Sequence, residues 1–386
     1  MAGAQDEKTA ATKAPALPTY WGSEPVLAAL LSLLAVVFFL AVTGLSRLYH
    51  AQQESLGQRW FSRGVDDLNA QRYDRALAEF RAALRYSRDD YSYQLNLAQA
   101  LIGIKRPAEA HAYLINLWER QPENGLVNLA LARIAAQQGE TEQALRYYHN
   151  AIYSTWPNDQ ETSRREARVE LIEFLLRLNA KTQAQAELIA LAANTGEDAA
   201  QQARIGDLFM RALDFEHALA AYRVSLRANQ RNAAALAGAG AAAFEIGDYP
   251  MAYHYLQEAV SANPKDSGSA DRLQTTELVL QMDPFQRQIS AAQRNRLVVR
   301  AFATAGERLK SCGVGGAAAS SQGNLSDGWT KMKPRISERE LQRDPDLAEA
   351  AMDVVFNIER QSTAICGAAT GPDLALLLIA KQHEGN

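Results

Sequence analysis

The chain has 386 residues, 47% of them hydrophobic and 22% charged, which is enough apolar material for a sizeable core and too much for a disordered protein. Forty Lys and Arg against 44 Asp and Glu leave a net charge of −4, without the basic excess that phosphate-backbone binding needs, so nucleic acid is not an expected partner. Two cysteines, Cys312 and Cys366, exclude a disulfide-dense scaffold and a zinc domain of the four-cysteine kind.

In chain order, a short polar tail (1–25) precedes an uncharged run from Val26 to Leu45. Twenty helical residues rise about 30 Å, the thickness of a bilayer's hydrocarbon core, and Tyr20 and Trp21 before the run with Arg47 and Tyr49 after it are interfacial anchors. The run (26–45) reads as one transmembrane helix. A cleaved signal peptide has a basic start, a shorter apolar stretch and a small-x-small cleavage site, whereas Glu24-Pro25 here precedes an overlong run. Lys8 and Lys13 on one side nearly balance Arg47, Arg59 and Arg63 on the other, so the positive-inside rule leaves the orientation open. Residues 46–56 read as a juxtamembrane linker.

A small residue then recurs at Ala76, Ala110, Ala144, Ala184, Ala218 and Ala252, at intervals of 34, 34, 40, 34 and 34. Twelve positions earlier stand Gly64, Ala98, Ala132, Ile172, Gly206 and Gly240; four later stand Phe80, Leu114, Tyr148, Leu188, Tyr222 and Leu256. Small residues let two antiparallel helices approach where they cross, and a large residue one turn on fills the space beside the crossing. A lone hairpin cannot close its own core, so neighbours stack into a superhelix. Tyr73, Tyr148, Tyr222 and Tyr249 recur at repeat positions and read as packing residues.

The period and these positions resemble the tetratricopeptide repeat (TPR) family. Its pattern is clearest around Trp60, Gly64, Tyr73, Ala76, Phe80 and Ala83, and again at Gly240, Gly247-Asp248-Tyr249, Ala252, Ala259 and Pro264. The fourth repeat (about 160–198) is degenerate: Ile172 replaces the small residue, and six extra residues fall in the Trp156 to Arg165 stretch. The resemblance implies an all-α fold, an α-solenoid of about six helix-turn-helix repeats over 57–266 that binds a protein or peptide in the concave groove lined by the first helices. Members that grip a terminal carboxylate do so with Lys and Asn; Phe61, Val65, Leu95, Gln99, Leu129 and Arg133 occupy those places here, so that clamp is absent. The polar set left on the face, Gln99, Arg133, Gln137, Asp207 and Arg211, is the candidate partner-binding site, with plain solvated side chains as the competing reading.

Beyond the repeats, Asp271 to Met282 and Gln286 to Lys310 read as capping helices (267–311), separated by Asp283-Pro284 and basic in the second member through Arg287, Arg294, Arg296, Arg300, Arg308 and Lys310. A stretch rich in Gly, Ala and Ser (312–336) has no Gly-Lys-Ser/Thr and reads as a flexible loop. Helices over Ser337 to Gln361 and Pro372 to Lys381 make up the C-terminal region (337–386). Pairing Cys312 with Cys366 closes a loop of about fifty-four residues, stabilises by roughly 3 to 5 kcal/mol in the chain-entropy model and favours an oxidising compartment; two unpaired buried thiols are the alternative.

The six histidines are scattered and neither cysteine has a sequence neighbour that would activate it, so no catalytic residue, metal ligand or cofactor site is expected. The sequence as a whole reads as a membrane-anchored scaffold or adaptor, similar to envelope assembly proteins of bacteria, held in the inner membrane through Val26 to Leu45 with its repeats on the outer side. A cytoplasm-facing adaptor, a self-associating homo-oligomeric subunit and an enzyme acting through the C-terminal extension are the alternatives.

Overall fold

The computed structural model describes residues 24–157, 159–312 and 319–384. The N-terminal tail to Ser23, with the anchors Tyr20 and Trp21, and the glycine run 313–318 lie outside them. Every regular element among the described residues is helical, apart from one isolated bridge between Asn124 and Thr155. The chain divides into two compact units, Met1–Pro157 and Asn158–Asn386.

The first unit holds α1 (Glu24–Asn69), α2 (Tyr73–Leu84), α3 (Tyr91–Gly103), α4 (Pro107–Arg120), α5 (Gly125–Gln138) and α6 (Thr141–Tyr153), paired as three successive hairpins. α1 runs unbroken for 46 residues, about 69 Å. The juxtamembrane stretch 46–56 is therefore helix and not a linker, because it holds neither Gly nor Pro and offers no better use for its backbone groups. Its N-terminal half is exposed and apolar, with Leu27 62%, Phe38 70% and Leu45 70% accessible, and is long and apolar enough to cross a membrane. A signal sequence near an N-terminus shares those two properties. The C-terminal half of α1 is the first helix of the first hairpin: a Cβ on Gly64 would come within 2.5 Å of the Phe80 ring, so the glycine sets the helix separation.

The second unit holds α7 (Gln160–Arg177), α8 (Lys181–Ala193), α9 (Ala199–Arg211), α10 (Phe215–Ala228), α11 (Ala233–Ile246) and α12 (Tyr249–Ala262), three more hairpins, followed by α13 (Ser267–Met282), α14 (Ala291–Cys312), α15 (Ala319–Met332), α16 (Glu338–Arg343), α17 (Asp346–Cys366) and α18 (Gly371–Glu384). Its hairpins share one core, built on Ile172, Leu188, Phe209, Tyr222 and Leu256. The later helices share another, built on Val298, Phe302, Val355, Ile358 and Ile379.

Each hairpin turns by the same device. Gln71, Lys105, Gly139, Asn179, Leu213 and Gly247, at the repeat interval, all have φ between 57° and 87°. The amide of the next residue donates five positions back in every case: Arg72 to Asp67, Arg106 to Leu101, Glu140 to Ala135, Ala180 to Leu175, Asp214 to Phe209 and Asp248 to Ala243, at 2.8–3.0 Å. This left-handed C-terminal turn satisfies carbonyls the helix end would leave orphaned. The first helices are opened just as regularly: Asp90, Asn124, Asp159, Asp198 and Asn232 each accept a hydrogen bond from the amide three residues on, satisfying one of the free N–H groups there.

Two expectations for the C-terminal region are corrected. Residues 319–332 of the supposed flexible loop form α15, because Trp329 anchors it on α14: its indole N–H donates to the Phe302 carbonyl at 2.9 Å and its ring stacks on Phe302 with centroids 5.6 Å apart, over the bare backbone of Gly306. The supposed single helix over Ser337 to Gln361 is two, α16 and α17. Pro345 forces Asp344 into extended backbone (φ −129°, ψ 92°) and the break falls there.

Candidate functional site

Of the five polar residues expected on the first helices, Gln99 lies on α3 and Arg133 and Gln137 on α5 of the first unit, whereas Asp207 and Arg211 lie on α9 of the second. The two on α9 already have strong partners. The Tyr222 hydroxyl donates to Asp207 Oδ1 at 2.6 Å, and the buried Tyr222 phenol is pushed far up in pKa by desolvation and by that carboxylate. Arg211 makes a two-pronged contact with Glu173 of α7, Nη1 to Oε1 at 2.8 Å and Nη2 to Oε2 at 2.7 Å. The pairing lowers the Glu173 pKa and raises that of Arg211, the hydrogen bond being the largest cause of both. Paired charges of this kind carry packing information between first helices and are poorly placed to bind a guest.

A different opening is built by the fourth repeat. Where the other hairpins of the second unit cross at glycine, with Gly206 against Tyr222 and Gly240 against Leu256, the fourth has Ile172 in the same core as Leu188. α7 and α8 are the most loosely packed of the three repeat hairpins of that unit. A groove of about 470 Å³ lies among α7, the end of α8 and α9. Val169, Leu191, Ile205 and Leu208 make its floor, while Arg165 and Glu166 of α7 and Gln201 and Arg204 of α9 stand around it. Arg165 is oriented by Thr162, to whose hydroxyl it donates at 3.1 Å. The N-cap carboxylate of Asp159, which accepts from Thr162, is held below the ordinary range by those hydrogen bonds and by Arg165.

An apolar floor with both signs of charge at the rim suits a peptide segment: a side chain of the guest fills the floor, and its backbone finds donors and acceptors above. The sequence marks the fourth repeat as degenerate through Ile172 and the 40-residue interval, and does not point to an opening there. Among the described residues no three His, Cys, Asp or Glu side chains are grouped to hold a metal ion. The Cys312 and Cys366 sulfurs are joined, with Cα atoms 5.7 Å apart, tying the end of α14 to the end of α17.

Two tetratricopeptide repeat family models match the chain, one over residues 68–134 and the other over 203–267. No curated protein matches it by sequence. Among solved structures, PilF of Pseudomonas aeruginosa is similar over 58% of this chain and 98% of its own, at 15% identity and a TM-score of 0.41. The C-terminal part of a TPR repeat-containing protein from Cytophaga hutchinsonii is similar over 80% and 100%, at 11% identity and a TM-score of 0.44. YrrB, a TPR protein with an unusual peptide-binding site, is similar over 50% and 95%, at 15% identity and a TM-score of 0.39. TPR proteins are typically non-catalytic interaction scaffolds; the two matched regions carry tetratricopeptide repeats, and the glycine crossings and left-handed turns show the same helix-turn-helix pattern in the hairpins of both units.

Proposed function

We propose that the chain is a membrane-anchored scaffold that holds a peptide segment of a partner protein in the groove between α7 and α9. The observation that carries this reading is the open groove itself, apolar at its floor and charged at its rim, at the one repeat whose crossing residue is large. Gln99, Arg133 and Gln137 on α3 and α5 are proposed separately, as a polar partner-contact surface of the first unit. The anchor is the apolar half of α1, whose exposed leucines and phenylalanines are stable only when lipid or another apolar surface covers them. The uninterrupted helix from Glu24 to Asn69 then carries the first hairpin directly on the span.

The proposed setting is a bacterial inner membrane with the repeats outside the cytoplasm, a placement supported by the joined Cys312 and Cys366, since such pairs persist in oxidising compartments. Thiol trapping in intact cells tests it: unlabelled thiols until reduction fit the outer placement, and freely labelled thiols refute it. For the groove, a photo-crosslinking residue at Arg204 or Gln201 is expected to capture a guest, and an Arg165→Glu/Arg204→Glu double variant to lower that capture at least about tenfold, the loss of two charge-assisted contacts. Capture unchanged in that variant refutes the groove as the site. The native mass of the detergent-solubilised chain tests the self-associating alternative.

A further inference from the structure

Three helices of the second unit meet around a carboxylate with no hydrogen-bonding partner. Glu359 of α17 is wholly buried, and neither of its oxygens has a donor. Arg308 of α14 is a cation whose charge acts on it. Its Nη2 donates to the Gly367 carbonyl at 2.8 Å, and its Nε stands 3.8 Å from Oδ2 of Asp373 in the first turn of α18. Asp373 raises the Glu359 pKa and Arg308 lowers it, but burial dominates and pushes the acid up to about 8. Glu307 of α14 acts on Asp373 in turn. Glu359 and Asp373 thus both feel one guanidinium, and loss of the Glu359 proton adds a buried negative charge that no hydrogen bond offsets.

The three helices are not equally free to respond. The joined Cys312 and Cys366 hold α14 and α17 to each other, so the helices bearing Arg308 and Glu359 cannot part. α18 joins them covalently through the four residues 367–370, with glycines at the ends of that connection, Gly367 (φ 96°) and Gly371 (φ 54°), it leaves α17 at 120°, and its noncovalent ties to them include the Arg308–Asp373 pair. It packs on α13, burying Ala375, Leu376, Ile379 and Ala380 in the core that includes Val279 and Met282. Its far end is pinned by the ring of His383, 3.7 Å from that of Phe285, near the buried Asp283.

We propose that Glu359 is a proton-operated latch for α18: protonated, it lets α18 lie on α13, and on losing its proton to water it repels Asp373 and swings α18 away about the Gly367–Gly371 hinge. The fixed α14–α17 pair is the frame against which the latch works, and the apolar face of α13 is the surface it uncovers. Opening belongs to the alkaline side and closure to the neutral and acidic side.

Hydrogen exchange of the full chain in detergent micelles tests this, with rates corrected for the intrinsic pH dependence of amide chemistry. Between pH 6 and 9, protection across 371–384 and 276–282 is expected to fall about tenfold for the pH unit above the Glu359 pKa, while α11 and α12 keep theirs. Glu359→Gln, a neutral isostere, is expected to abolish that fall, and Asp373→Asn, which removes the repelled partner, to do the same. Protection of α18 that is flat in the unaltered chain, or that falls equally in Glu359→Gln, overturns the latch. So does loss of protection across α11 and α12 together with α18, which is unfolding of the unit and not release of one helix.

Discussion

At the scale of single residues, the six left-handed turn positions form a natural experiment, because the same backbone is occupied by Gly139 and Gly247 at two of them and by Gln71, Lys105, Asn179 and Leu213 at the rest. A side chain there costs about 1–2 kcal/mol relative to glycine, since Cβ crowds the following carbonyl. Leu213 is the least suited: it is 54% exposed and recovers little by burial. Leu213→Gly is expected to stabilise the second unit by about 1 kcal/mol in chemical denaturation, and Gly247→Leu, where a Cβ meets nothing within 4 Å, to destabilise it by a similar amount through backbone strain alone. Glu359 gives a second residue-scale prediction. Its folded pKa of about 8 lies above the ordinary glutamate value of 4.5, so the native state binds more protons than the unfolded chain between those limits, and stability falls as pH rises through that window. The stabilisation present at pH 4 and lost by pH 9 is of the order of 4 kcal/mol, and Glu359→Gln is expected to flatten that part of the stability profile, as read by denaturant midpoints across the pH range.

At the scale of elements, the crossings decide how tightly each hairpin closes. Tyr222 fills the space that Gly206 leaves, and a Cβ at Gly206 would stand 2.6 Å from its ring. Gly206→Ala is expected to cost about 2 kcal/mol by overpacking, despite alanine's better helix propensity, and thermal unfolding separates these opposed effects by sign. The fourth repeat shows a different case, in which a large residue, Ile172, stands buried at the crossing and a groove lies between its first helix and α9. Its first helix still begins at an aspartate cap and ends in the shared left-handed turn, so the degeneracy lies in the crossing and not in the hairpin. The additional residues mainly lengthen α7 to 18 residues; just before it, Trp156 folds back over Gly125, its indole N–H donating to the Ala151 carbonyl at 3.0 Å, and Gly125 N–H donates to Thr155 O at 2.9 Å.

At the scale of the whole molecule, the question is what covers α1. The exposed apolar side chains from Leu27 to Leu48 make a surface that water disfavours at about 25 cal/mol per Å². With the anchor retained, the chain is expected to stay in the membrane fraction after alkaline carbonate extraction and to have the mass of the uncleaved sequence. A soluble, shortened product would identify the same segment as a cleaved signal and end the tethered reading while leaving the repeats intact.

The sequence by itself determined the repeat array, because its determinants are local: the small crossing residues at Gly64, Ala76, Gly206, Ala218, Gly240 and Ala252 and the large residue after each act within one hairpin or its neighbour, so their spacing is written directly in the chain. The Asp and Asn caps at 90, 124, 159, 198 and 232 recur at the similar intervals of 34, 35, 39 and 34 and were equally available to be read. Only the tertiary structure decided what depends on contacts between distant segments. Arg211 looks like a groove residue until Glu173, 38 positions away, is seen to hold both its nitrogens. A segment rich in Gly, Ala and Ser becomes α15 once Trp329 finds Phe302, and Glu359, an unremarked acid on a helix, becomes a wholly buried charge site once α14 and α18 close over it. Local patterning fixes hairpins, but burial and pairing are set by which hairpins and helices meet, and those meetings have no counterpart in a fixed interval of sequence.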